Sequence, residues 1–137
     1  MKLTNVSTLI VISILGMLSI ILPIFILGDL KPYDSPLFPL IKTGIEGISK
    51  FSLFFLFLSG FMVKFFSDLS GWKIGLASMM LFPLAAFLEM AVDSSSHNMF
   101  PIEFILYAIY TLPSVLGASV SQIIKKINFK RGCSSVG

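Results

Sequence analysis

Charge is scarce in this sequence. Lys, Arg, Asp and Glu together make up 12% of the 137 residues, where an ordinary soluble domain carries about 25%. Too few polar side chains remain to cover a soluble surface, so a soluble enzyme, a nucleic-acid binder and a disordered chain are all excluded. Cysteine occurs once, at Cys133, which rules out an internal disulfide and any multi-cysteine zinc or iron–sulfur site. Histidine also occurs once, at His97, and the His-Glu-x-x-His spacing of metalloproteases is missing. No glycine-rich phosphate loop, nucleophile elbow or dinucleotide fingerprint is present, and nothing in the chain calls for a cofactor. Alternating ten-residue apolar segments are lacking too, which argues against a β-barrel.

What fills the chain instead is apolar. Hydrophobic residues account for 55% of it, and the mean hydropathy is +0.94. Crossing a ~30 Å hydrocarbon core takes roughly 20 apolar helical residues, and four stretches meet or approach that length: 8–27, 47–66, 74–92 and 101–124. The expected fold is therefore all-α, an integral membrane bundle of four transmembrane helices in one domain, with a short basic tail at 125–137. The first stretch reads as a retained span, because its apolar run exceeds the 7–15 residues of a signal-peptide core. Pro83 and Pro113 interrupt the third and fourth, which neighbouring helices can tolerate by satisfying the freed carbonyls. Lys64 lies near enough to a helix end to snorkel, and Trp72 suits an aromatic belt at the interface. Short second and third connections predict that spans two, three and four pack as antiparallel neighbours.

The basic residues set the orientation. Lys2, Lys64, Lys73, Lys125, Lys126, Lys130 and Arg131 fall on one side, against Lys31, Lys42 and Lys50 on the other. The positive-inside rule then puts both termini in the cytoplasm, with a bacterial cytoplasmic membrane as the expected location.

One segment concentrates chemistry. Between the third and fourth spans, Glu89, Asp93, His97 and Glu103 gather carboxylates and the imidazole around a serine-rich turn. They are the candidate catalytic residues, and Glu89, His97 and Glu103 are the candidate metal ligands, since carboxylates and neutral imidazole suit such ions. Each also has a plain structural reading. Glu103 follows Pro101 in a first helical turn, where both residue types are favoured, and Asp93 with the serines can simply end a helix. Glu89 is hardest to explain in that way, because intramembrane carboxylates are functional by default.

Two stripes at helical spacing complete the inventory. Gly71, Gly75, Ser78, Phe82, Ala85, Glu89 and Asp93 share one face, as do Glu103, Tyr107, Tyr110, Ser114, Gly117 and Ser121. In lipid such stripes mark helix–helix contact, and the alternative of a polar pathway is weakened by the lack of titratable groups in the inner half of both stripes. Gly71-Trp-Lys-Ile-Gly75 fits the GxxxG pattern of a dimer face.

The expected function is that of a small multi-pass membrane subunit, accessory or lipid-interacting. Its partners are the lipid bilayer and other membrane subunits or a second copy, with nucleic acid excluded. Two alternatives remain: a small ion, proton or solute transporter subunit using Glu89, and a membrane-embedded hydrolase using the Glu/Asp/His cluster.

Overall fold

A computed structural model describes residues 5–27, 47–92 and 100–134. The described residues form six helical segments and no strand: α1 (Asn5–Leu27), α2 (Lys50–Phe66), α3 (Gly71–Met79), α4 (Leu81–Val92), α5 (Phe100–Tyr110) and α6 (Leu112–Ser134). Two pairs are rods broken once, α3 with α4 at Met80 and α5 with α6 at Thr111, so the architecture is a bundle of four helical rods. Three stretches are long and apolar enough to cross a membrane: Asn5–Leu27, Gly71–Val92 and Ile102–Asn128. The 17 residues of α2 stand at the short end of the roughly 17–25 that span a bilayer.

Both breaks have the same cause. Proline lacks the N–H that would bond four residues back and its ring crowds that carbonyl. Pro83 leaves the Met79 carbonyl and Pro113 the Ile109 carbonyl, and each helix tightens beside that point. The Met80 amide bonds Ala77 at 3.2 Å and the Thr111 amide bonds Ala108 at 3.2 Å, both three residues back.

The boundaries differ from the sequence expectation in physically legible ways. Ser49 caps α2 through a reciprocal pair with Ser52, so that helix starts at 50 rather than 47. The third rod begins at Gly71, not 74. The fourth continues through Ser134 where a basic tail was expected from 125, because lysine and arginine are good helix formers and Lys125 is anchored on α2.

Packing follows the small residues. α2 sits against α6 and α1, while α3 lies between α1 and α6. A Cβ added to Gly60 would collide with the Ser114 carbonyl, and one added to Gly117 with the Phe57 carbonyl. Further along, Lys125 reaches the Lys64 and Ser67 carbonyls, so α2 and α6 run in the same direction. The main partner of α2 is thus the parallel α6, alongside the antiparallel packing of α3 against both α2 and α6 that the short connections predict. Gly16 meets the Ser78 backbone in the same manner, and the Ser13 hydroxyl donates to the Ala77 carbonyl at 2.7 Å, tying α1 to α3. The GxxxG pair is used within the chain: Gly75 faces Val115 and Thr111, and Gly71 faces Ala118.

Two apolar clusters stack along the bundle. Ile12, Val63, Leu69, Ile74, Ala77 and Ala118 form one at the lysine-rich end, and Ile20, Leu56, Met79, Phe82 and Tyr107 form the other. The outward faces are also apolar, with Ile10, Ile14, Phe54, Phe66, Leu84, Leu88, Ile105 and Leu116 all exposed. In water, apolar patches beyond a few hundred Å² are unusual; against lipid they are required.

The glycine seams give a graded prediction. Gly60→Ala and Gly117→Ala force backbones apart and lower stability by about 1–3 kcal/mol each, the usual cost of overpacking. At Gly71 the added Cβ would lie 3.4 Å from the Ala118 Cβ, an ordinary contact, and Gly71→Ala is neutral or stabilising through helix propensity. Unfolding in detergent, followed by circular dichroism, measures all three; equal effects at the three positions would refute the seam.

Candidate functional site

Glu89 lies in the last turn of α4 and is 4% exposed. Glu103 lies in the first turn of α5 and is half-buried. One turn beyond it, the buried Tyr107 hydroxyl donates a hydrogen bond to the Glu103 carboxylate and also lies within electrostatic reach of Glu89. Of the four predicted site residues, Glu103 is thus bonded to the phenol, and Glu89, on the neighbouring helix, influences it only electrostatically. Asp93 and His97 lie outside the described residues. Among the described residues, no group of three or more His, Cys, Asp or Glu side chains could hold a metal ion.

Aromatic packing sets this arrangement. The Tyr107 ring lies 6.2 Å from Phe82 and 5.6 Å from Phe104, and Phe104 meets Phe87 edge-on at 5.3 Å. These distances fall within the 4.5–7 Å range of favourable ring pairs, so α4 and α5 are held together beside the two carboxylates. Tyr107 had no chemical role in the sequence reading. The signal was available: it stands four residues after Glu103 on the same helix face. A phenol between two carboxylates can relay a proton or accept a hydrogen-bond donor.

Beyond Tyr107 the stripe changes character. Ser114, Gly117 and Ser121 are buried, and the first two are pressed against the α2 backbone. The Ser114 and Ser121 hydroxyls have no hydrogen-bond partner, which identifies them as small residues chosen for close approach. Ser59 donates to the Leu56 carbonyl and Ser78 to the Gly75 carbonyl, each within its own helix. The polar stripe is spent on packing over this half.

The lysine-rich end contains a device of its own. Lys64 is 7% exposed, not snorkelling outward as a simple interface anchor would. Its Nζ donates to the Leu69 carbonyl at 2.6 Å, across the 67–70 turn. Lys125 Nζ donates to the Lys64 carbonyl at 2.9 Å and the Ser67 carbonyl at 3.4 Å. Terminal helix carbonyls lack intrahelical partners and carry the negative end of the dipole. Lys125 answers both needs at the end of α2 from another helix, while Lys64 reaches past that end to a turn carbonyl.

No protein-family model, curated protein or solved structure matches the chain.

Two measurements test these contacts. In a double-mutant cycle, Glu103→Gln and Tyr107→Phe couple by about 0.5–1.5 kcal/mol, the net value of one hydrogen bond; strict additivity would show that the bond contributes nothing. Lys125→Met keeps the apolar stem but removes the donor to the α2 carbonyls. It lowers unfolding stability by about 1.5–3 kcal/mol, the range for bonds to charged groups, whereas Lys126→Met on the exposed face changes it by under about 0.5 kcal/mol.

Proposed function

We propose that the chain is a four-span membrane protein that works through helix and lipid contacts as an accessory or assembly subunit, with both termini cytoplasmic in a bacterial cytoplasmic membrane. The observation that supports it best is the construction of the interior. Backbone meets backbone at Gly16, Gly60 and Gly117, and Ser13, Ser19, Ser59 and Ser78 bond to main-chain carbonyls. The outward apolar residues supply the surface for lipid and for partner helices. The clustering of Lys64, Lys73, Lys125 and Lys126 at one end of the bundle supports the orientation.

A second reading, a small transporter subunit using Glu89, is favoured by one observation: Glu89 is buried on α4 within electrostatic reach of the Tyr107 hydroxyl, which is bonded to Glu103. The hydrolase reading depends on Asp93 and His97 and gains no such support.

Complementation separates these readings. A chain carrying both Glu89→Gln and Glu103→Gln restores the phenotype of a deletion strain as well as the unaltered chain does, if contacts carry the function. Failure to restore it at equal membrane abundance would favour the transporter. Cys133 provides the topology test: a membrane-impermeant maleimide labels it in inverted vesicles and not in intact cells.

A further inference from the structure

A groove of about 580 Å³ runs along the outside of the third rod, within the roughly 300–1,000 Å³ typical of ligand sites. Trp72, Leu76, Met80 and Pro83 form its floor, and Phe104 and Tyr107 of α5 form a wall. It passes over the Met80 break, and Thr111, at the break between α5 and α6, lines it as well. From Trp72 to Pro83 a helix rises about 16 Å, close to half of a ~30 Å hydrocarbon core. The groove therefore has the length of one leaflet.

Its polar groups are unevenly placed. The Thr111 hydroxyl is engaged by the Ala108 carbonyl at 2.6 Å, and the Tyr107 hydroxyl by Glu103. At the lysine-rich end, Lys73 is exposed, with its Nζ 5.7 Å from the Trp72 ring centroid. Ser70, the N-cap residue of α3, makes no side-chain cap bond, so the positive end of that helix dipole adds to the lysine charge. Helix N-termini with such backbone donors favour phosphate.

We infer that this groove binds one anionic phospholipid from the leaflet at the lysine-rich end, with an acyl chain along Leu76, Met80 and Pro83 and the headgroup phosphate at Lys73. The inference rests on the lipid-contact reading above and adds the site, the leaflet and the headgroup charge. Basic sites between membrane helices recognise anionic headgroups in this way.

The chain carries one tryptophan, Trp72; it lines the groove and is also exposed to surrounding lipid, so the difference in quenching between lipids reports the site. The full chain is reconstituted in phosphatidylcholine vesicles containing a fixed fraction of either phosphatidylglycerol or phosphatidylcholine brominated in the acyl chains. Brominated phosphatidylglycerol competes for quenching with an apparent affinity about fivefold higher, the factor expected from one lysine at an anionic headgroup. Lys73→Gln brings that ratio to about one, while Lys126→Gln, which removes the same charge from the same end, leaves it unchanged. Ala108→Phe, which fills the groove wall, weakens quenching by both lipids. Equal quenching by both lipids in the unaltered chain, or equal losses in Lys73→Gln and Lys126→Gln, would overturn the site while leaving the lipid-contact reading intact. Absence of quenching by either lipid would overturn both.

Discussion

Lipid surrounds a membrane bundle with a medium as apolar as its own side chains, so association rests on how closely two backbones can come. In this chain that distance is set at Gly16, Gly60 and Gly117, where another helix's main chain occupies the place of a side chain. The other contacts follow from those three. Once Gly60 and Gly117 bring α2 and α6 together in parallel, Lys125 falls beside the end of α2. Once Gly16 seats α1 on Ser78, the Ser13 hydroxyl reaches Ala77 and Ile20 joins Met79 and Phe82 in one cluster. A bulkier residue at any of the three would move the rods and undo the lysine caps with them.

The rods and their buried faces were legible in the sequence because apolar length and 3.6-residue spacing are local properties. Of the two stripes, Gly75, Ser78, Phe82, Ala85 and Glu89 are buried, as are Tyr107, Ser114, Gly117 and Ser121, while Gly71, Glu103 and Tyr110 are half-buried. The pairing of α2 with α6 was not legible, because which glycine meets which carbonyl depends on tertiary placement. Loop length bears on chain neighbours only, which leaves the mutual fit of Gly60 and Gly117 between the second and fourth rods to tertiary placement. Lys64 and Lys125 show the same limit. Hydropathy marks each as a cost near a span end, but their carbonyl partners lie across a turn and on a second helix. At the candidate site, Glu89 and Glu103 could be singled out as acids in an apolar setting, whereas the phenol joining them needed both helices in place.

The two prolines bear on function as much as on shape. The break at Met80 and the break at Thr111 lie along one groove, and a break is where a helix can change direction without losing its neighbours. Near the Thr111 break, Gly75 still approaches Val115 closely, which keeps the lysine-rich half tight. Past it, contact between α4 and α5 is carried by the aromatic rings of Phe82, Phe87, Phe104 and Tyr107. The bundle thus changes from backbone contact to ring contact along its length.

That change places the two kinds of chemistry apart. Ring packing leaves room for side chains between helices, and there Tyr107 bonds Glu103 within electrostatic reach of Glu89. Backbone packing leaves none, so at the other end the ammonium groups of Lys64 and Lys125 turn to main-chain carbonyls at the margin of the bundle, while Lys73 stands outside beside Trp72. Acids facing inward at one end and lysines on carbonyls and at the surface of the other make the molecule electrically polar along its axis. In a membrane whose cytoplasmic leaflet is negative, that polarity favours one orientation. The same separation gives the two ends different capacities: the ring-packed end has an internal polar centre, and the backbone-packed end has only its outer surface to offer a ligand. A lipid headgroup is the ligand that such a surface meets first.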